Sequence, residues 1–97
     1  MSTQFMHVGK FIVKPNNRDQ FIEVIKSYEG SVKQEGLDHS HLIEAENEPN
    51  LFWYVTLWSS HDAWEKVVQL EEHKQMHQKF DPLLTQPINQ NFGKVIA

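Results

Sequence analysis

The chain has 97 residues, a length that suits one domain, residues 1–97, with one compact core. Its formal net charge is −4 and its nine Lys and Arg residues are scattered singly, which excludes nucleic acid as a partner. It has no cysteine, so it has no disulfide framework, thiolate nucleophile or cysteine-based zinc site. Neither a signal peptide nor the ~20 apolar residues of a membrane helix is found. We therefore expect a soluble, cytoplasmic protein with no membrane partner.

The first third of the chain predicts a strand followed by a helix. Residues 5–13 are β-branched and aromatic-rich and end at a Lys-Pro-Asn-Asn turn, which is typical of a strand. Asn16 or Asn17 is suited to capping the helix that follows. Gly36 is expected to end this helix in a left-handed conformation. The apolar side chains between these points recur at helical spacing, at Phe21, Ile25, Tyr28 and Val32.

The middle of the chain predicts a β-hairpin. Residues 37–44 alternate along a strand, which places His39, His41 and the flanking Leu37 and Ile43 on one face. An Asn-Glu-Pro-Asn turn follows at residues 47–50. Residues 51–58 are β-branched and aromatic throughout, so they give the strongest strand prediction in the chain.

The last part of the chain predicts an interrupted helix and a closing strand. Ser59 or Ser60 caps a helical region, with Asp62 in a capping-box position after Ser59. Helical character persists to about Phe80, and a single helix of this length is unusual, so a break is expected within residues 68–71. Residues 90–96 form the last strand.

This order of elements predicts an α+β fold of ferredoxin-like βαββαβ topology with a four-stranded antiparallel sheet. Two helices cover only one face of such a sheet. The first and third strands nevertheless carry large apolar side chains on both faces, and exposing several of them is costly. A second copy of the chain is the simplest cover, so we expect a homodimer with a small-molecule pocket beside the sheet.

Histidines are the main candidates for chemistry. His39 and His41 share a face of a strand, and His73 and His77 share a face of a helix. Such pairs can bind a transition metal, but the helical pair lacks the Glu of the H-E-x-x-H motif, so no metal is expected. His73 is expected as an exposed polar residue or as a pocket residue. His77 lies on the inward stripe before Phe80, where an imidazole can exchange protons near neutral pH.

Aromatic side chains concentrate around the third strand and the helix after it. They suit a core or an interface, and their faces also suit a flat apolar substrate. No nucleophile elbow or Gly-rich phosphate loop is present, so ATP and nicotinamide cofactors are unsupported. The expected substrate-binding set comprises Trp64, Tyr54, Trp58, Phe52 and Phe80.

The whole chain resembles the antibiotic biosynthesis monooxygenase superfamily of dimeric α+β barrels. The resemblance is carried by the order and spacing of five segments: F-x-V-K-P at residues 11–15, FIEVIKSYEGSVKQEG, the turn at Glu48-Pro49, YVTLWSSHDAW and HKQMHQKF. It implies a pocket between sheet and helices and oxygenation of a quinol or aromatic polyketide without metal, flavin or haem, hence no cofactor. The base of such a reaction is expected to be His77, with His41 or His73 as alternatives.

Two other branches of the fold are similar to parts of this chain. GSVKQEG followed by His73-Lys74 and His77 resembles isomerases that process phosphorylated autoinducer-2. The spacing from Trp58 to His77 is similar to that of haem-degrading monooxygenases, but Val67 stands where those carry a tryptophan and Val8 or Gly9 where they carry an asparagine. A non-catalytic dimeric binder of a small apolar molecule is the alternative from another class.

Overall fold

The computed structural model describes residues 3–97, and its elements follow the predicted order. Short 3-10 turns at Pro15–Asn17 and Asp81–Leu83 precede the first helix and follow the last one. The strands and helices are β1 Phe5–Ile12, α1 Arg18–Ser31, β2 Leu37–Glu44, β3 Leu51–Trp58, α2 His61–Val68, α3 Glu71–Phe80 and β4 Asn89–Lys94.

The four strands form one antiparallel sheet in the order β2-β3-β1-β4. β1 lies inside the sheet, where Gly9 is opposite Tyr54 of β3 and opposite Gln90 of β4. This strand order, with helices after the first and third strands, is the predicted α+β ferredoxin-like topology.

The helices cover one face of the sheet, which we call the inner face. Four phenylalanine rings from β1, α1, β3 and α3 form the centre of the core, with ring centroids 5.0–6.3 Å apart for the contacting pairs. These rings are Phe11, Phe21, Phe52 and Phe80. Each buried side chain of this size stabilises the fold by about 1.5–3 kcal/mol. A smaller cluster of Phe5, Trp58 and Val67 packs beneath α2.

The first helix differs from its prediction at both ends. α1 ends at Ser31, because Val32 adopts an extended conformation and the chain leaves the helix there. Gly36 is left-handed as expected, with φ of +86°, but it lies in the turn that leads into β2. Asn17 occupies the N-cap position without a side-chain capping bond, so the predicted asparagine cap is wrong.

The later elements follow the sequence closely. The helical region breaks between Val68 and Glu71 as predicted, and Ser60 caps α2 by accepting a hydrogen bond from the Ala63 backbone amide at 3.1 Å. β4 begins one residue earlier and ends two residues earlier than predicted. None of the helices in the part of the chain that the structure describes is long and apolar enough to cross a bilayer.

The opposite face of the sheet, the outer face, carries the apolar side chains that the alternation predicted. Register places Met6, Val8, Trp53, Val55 and Leu57 there, all half-buried in the single chain. In β2, a bulge after Leu37 moves that residue to the inner face, so the prediction that it shares a face with the neighbouring histidines is wrong.

Candidate functional site

A narrow cavity lies between the inner face of the sheet and helices α1, α2 and α3. Its volume is about 30 Å³, close to the space that one water molecule occupies in the liquid. The lining combines aromatic rings, three histidines and a few apolar and polar side chains. The residues concerned are His7, Phe11, Ile25, Tyr28, Gln34, Tyr54, Thr56, Trp58, Trp64, Val68, His73, Met76, His77, Phe80 and Ile88.

The cavity continues into an open groove between the helices and β4. Trp64, Val68, His73 and His77 line both the cavity and this groove, which has a volume of about 440 Å³. A second surface groove, running to Ile88, is also lined by His77. His77 therefore stands where the cavity meets the surface, with space beside it for a ring-sized molecule.

A chain of hydrogen bonds joins α1 to α3 at this point. The i,i+4 spacing on α3 brings His73 Nε2 within 3.0 Å of His77 Nε2. The other ring nitrogen of His73, Nδ1, lies 3.2 Å from the Tyr28 hydroxyl on α1. The three groups therefore form one continuous hydrogen-bonded row, in which the two bonds use both nitrogens of His73.

Burial keeps the imidazoles of this row in the neutral form at pH 7. Burial, with smaller contributions from His77 and His7, lowers the pKa of His73 to about 4. Burial also lowers the pKa of His77, but the nearby Asp81 carboxylate opposes that effect. His77 is therefore the stronger base of the pair, and both can accept a proton.

His7 adds a third imidazole to the cavity from the sheet side. Its ring lies 6.1 Å from Trp64 and 5.1 Å from Phe92, and its Nε2 is 3.0 Å from the Gln90 side-chain oxygen. Burial lowers the pKa of His7, while the hydrogen bond with Gln90 opposes the effect. The His7 ring is thus held in place and stays neutral at pH 7.

Indole and phenyl rings form the wall of the cavity and groove. The Trp58 indole N–H donates to the buried Thr56 hydroxyl at 2.8 Å, which fixes that ring on the inner face. Trp64 packs on Phe92 with centroids 5.0 Å apart, and Phe92 remains 51% exposed beside the groove. This wall offers apolar surface with few polar groups, as sites for flat organic molecules do.

The hydroxyl of Tyr54 is already engaged. It donates to the Glu29 carboxylate at 2.6 Å, and Ser40 donates to the same oxygen at 2.7 Å. Burial and this hydrogen bond raise the pKa of Tyr54, so the phenol stays protonated. The ring of Tyr54 lines the cavity, but its proton points to Glu29, away from the role of hydrogen-bond donor to a substrate.

The structure brings together most of the residues singled out from the sequence, with two exceptions. His41 pairs with Val55 on the outer face, so within one chain it lies across the sheet from the cavity. Phe52 is 1% exposed and packs on Phe21 in the core, outside the cavity lining. His73, expected to be either exposed or in the pocket, belongs to the pocket.

Several polar residues of the site were missed, among them His7, Tyr28, Thr56 and Gln90. Alternation along β1 places His7 on the same face as Phe5 and Phe11, so that signal was present in the sequence. Tyr28 was recognised only as an apolar position on α1. The part played by Thr56 and Gln90 depends on strand register, which the sequence leaves open.

Possible metal ligands cluster away from the cavity within residues 3–97. His61, Asp62 and Glu65 bring one ligand atom each within 4.8 Å of the others on the exposed start of α2. The three cavity histidines do not converge to that degree, so the donor set of the cavity does not fit a metal centre.

Comparison with known proteins gives a family match and several similar folds. The family profile described as antibiotic biosynthesis monooxygenase matches residues 4–79. A Caulobacter crescentus protein named after the same family has a similar structure, with a TM-score of 0.91, 15% identity, and coverage of 99% of this chain and 92% of that one. A conserved protein from Methanosarcina mazei gives a TM-score of 0.87 at 18% identity, covering 94% and 91%. No curated protein matches the sequence significantly.

Proposed function

Because the chain belongs to the antibiotic biosynthesis monooxygenase family, we propose that it is a cofactor-independent monooxygenase that oxidises a small aromatic or quinol substrate with dioxygen. The observation that carries this proposal is the position of His77, a neutral imidazole at the mouth of an aromatic-walled cavity. A neutral imidazole is the natural base for a phenolic or enolic proton.

The reaction starts with proton transfer from the substrate hydroxyl to His77. Since the Nε2 atom of His77 bonds to His73, the Nδ1 atom is the nitrogen left for the substrate. The electron-rich anion then reacts with dioxygen directly. With an anthrone, one oxygen atom becomes the new ring carbonyl and the other leaves as water. The carbon loses two hydrogens as protons, and the departing oxygen takes up two protons in exchange. The four electrons that dioxygen takes up all come from the oxidised carbon.

The substrate ring binds in the groove, and the substrate hydroxyl lies at the mouth of the cavity. The cavity is too small for an aromatic ring, so the ring lies in the open groove against Trp64 and Phe92, with its hydroxyl directed at His77. The apolar walls favour a flat, uncharged substrate over a hydrated one.

The electrostatics of the site favour the oxygenase over an isomerase of a phosphorylated carbonyl compound. Binding a phosphate group calls for Lys, Arg or a helix N-terminus aimed at it. Among residues 3–97, the cavity lining includes no Lys or Arg, and Lys74 is the single cationic side chain lining the open groove, fewer than a phosphate site commonly uses. A phosphorylated substrate is therefore the second candidate, and a non-catalytic binder of an apolar molecule is the third.

Oxygen uptake by the purified protein with a panel of anthrones and quinols tests the proposal. We expect uptake that survives chelator treatment, and a fall in kcat of about 10²–10⁴-fold in His77→Gln, the usual size of a general-base contribution. His39→Gln is the matched control, because His39 is exposed on the outer face and should leave the rate unchanged.

Uptake no faster than in the absence of protein, across the whole panel, would overturn the oxygenase proposal. Proton exchange in a phosphorylated ketose panel, followed by NMR, would then identify the isomerase. Binding of the same anthrones without turnover would identify the ligand-binding protein.

A further inference from the structure

We propose that Tyr28 and His73 form a proton relay that carries the substrate proton from His77, through the helix layer, to the groove between α1 and α3. This inference rests on the proposed function, because it assigns a route to the proton that His77 removes. Tyr28 and His73 are relay residues that act through His77, and neither removes the proton from the substrate.

The geometry of the row supplies both hydrogen bonds that a relay needs. The Nε2 atoms of His77 and His73 are 3.0 Å apart, and His73 Nδ1 is 3.2 Å from the Tyr28 hydroxyl. Both distances are within the range over which protons move along hydrogen bonds. His73 is joined through both of its ring nitrogens, so a proton that enters at one can leave at the other.

The row has two arrangements of its protons that differ by one transferred proton. Before transfer, His77 Nε2–H donates to His73 Nε2, and His73 Nδ1–H donates to the Tyr28 oxygen. When His77 Nδ1 takes the substrate proton, each proton shifts one place along the row. His73 Nε2–H then donates to His77, Tyr28 O–H donates to His73 Nδ1, and the original Tyr28 proton leaves. Every ring is again neutral.

Burial of the row favours its two neutral proton arrangements over charged forms. The pKa of His73 is lowered to about 4 and that of Tyr28 is raised to about 12, mainly by desolvation in both cases. A stepwise path through a histidinium or a tyrosinate is therefore unfavourable, and a concerted shift avoids both charged forms.

The far end of the row opens to solvent on the other side of the helices. Tyr28 is 5% exposed overall, yet it lines both the cavity and the surface groove between α1 and α3, which has a volume of about 330 Å³. Glu72 lines the same groove, and its negative charge acts on Tyr28. A departing proton is thus drawn towards solvent on the side away from the substrate groove.

Tyr28→Phe tests the relay, because it removes the hydroxyl and keeps the buried ring. In oxygen-uptake assays, we expect kcat to fall by about 10–100-fold with KM unchanged. The solvent isotope effect, measured across H₂O and D₂O mixtures, should change from the curved dependence of several protons in flight to a linear one. Lys26→Gln, two positions before Tyr28 on α1, exposed and outside that groove, is the control and should match the wild type.

A second readout does not require turnover. In ¹⁵N-labelled protein, the imidazole nitrogen shifts report the tautomers of both histidines. Of the two histidines, only His73 bonds to Tyr28. We nevertheless expect Tyr28→Phe to change the shifts of His77 as well as those of His73. Lys26→Gln should leave both spectra unchanged.

The outcomes separate the two proposals. Loss of uptake in His77→Gln, with wild-type kcat and a curved isotope dependence in Tyr28→Phe, overturns the relay and leaves the oxygenase standing. Absence of uptake in every protein overturns the oxygenase, and the NMR result then decides the relay. If Tyr28→Phe leaves the ¹⁵N shifts of His77 unchanged, the relay is rejected. If the shifts of His77 and His73 change together, a connected row is supported.

Discussion

The cavity of this protein is lined by imidazoles held in the neutral form by their surroundings. Burial lowers the pKa of His7, His73 and His77, and hydrogen bonds with Gln90 and Tyr28 hold two of the rings in place. In the unfolded chain each imidazole regains a pKa near 6.5. The folded protein therefore binds fewer protons than the unfolded chain in mildly acidic solution, and this difference links stability to pH.

His73 should make the protein less stable as the pH falls from about 6.5 to about 4. Between its unfolded and folded pKa values, only the unfolded chain is protonated at this ring, so the contribution is complete above pH 6.5 and lost towards pH 4. The glutamine in His73→Gln cannot titrate. Over this pH range we therefore expect the free energy of unfolding of His73→Gln to fall by about 1–2 kcal/mol less than that of the wild type, allowing for partial solvent screening. Urea unfolding of both proteins at pH 7 and pH 4.5 measures this difference.

Comparison with the wild type isolates this residue from other groups that titrate in the same range. The pKa of Glu44 is lowered by its hydrogen bond with Arg18, so that carboxylate also loses stabilisation in acid, but equally in both proteins. Equal losses of stability in wild type and His73→Gln would contradict the prediction.

The sequence predicted the parts of the site that depend on spacing along one element, and it did not predict those that depend on contacts between elements. The pairing of His73 with His77 follows from their i,i+4 positions, so the sequence contains it. The bond from His73 to Tyr28 depends on how α1 packs against α3, and no local pattern states that packing. The commitment of the Tyr54 hydroxyl to Glu29 was hidden for the same reason.

At the scale of elements, the turn before β2 positions the start of α2. Gly36 adopts φ of +86°, and its carbonyl accepts a hydrogen bond from the Ser59 amide at 2.7 Å. A Cβ atom on Gly36 would lie 2.5 Å from the Cβ of Ala63 and 3.0 Å from the Ser59 hydroxyl. The close approach and the left-handed backbone both call for glycine at this position.

Two Gly→Ala substitutions should therefore act in opposite directions. We expect Gly36→Ala to lower the free energy of unfolding by about 2–4 kcal/mol, through left-handed strain and the clash with Ala63. Gly30 lies in helix α1, and a methyl group added there would have no neighbouring atom within 4 Å, so Gly30→Ala should raise stability by about 0.5–1 kcal/mol. Thermal and urea unfolding of both variants measure the effects. Equal changes in the two would refute the assigned role of Gly36.

The elements themselves were largely predictable, and their ends were less so. Continuous β-branched and aromatic runs identified β1 and β3, and the break between α2 and α3 followed from length alone. The stripe from Phe21 to Val32 suggested a helix that continued to Gly36. The helix stops earlier because Val32, a β-branched residue, takes an extended conformation, with its amide bonded to the Tyr28 carbonyl.

At the scale of the whole molecule, the outer face of the sheet is apolar in the middle and polar at its edges. β1 and β3 present Val8, Trp53, Val55 and Leu57 together with one cation, Lys10, while the edge strands present mainly polar groups such as His39 and Asn91. An apolar centre with a polar rim is the usual anatomy of a protein interface. A four-stranded sheet of this size has roughly 500 Å² of flat area, and side-chain relief brings the surface it can bury near the ~800 Å² per partner of a standard interface.

We propose that this face pairs with the same face of a second copy, giving a symmetric homodimer. Light scattering after size-exclusion chromatography should then give twice the mass of one chain at about 10 μM. Val55→Asp places a charge at the centre of the face and should shift the protein to the monomer or lower its thermal stability at equal concentration, because burying an unpaired carboxylate is costly. Gln78→Asp, the same new charge on the exposed surface of α3, should leave the mass unchanged. A wild-type protein that remains monomeric at about 100 μM would contradict the proposal, and so would a dimer that is insensitive to Val55→Asp.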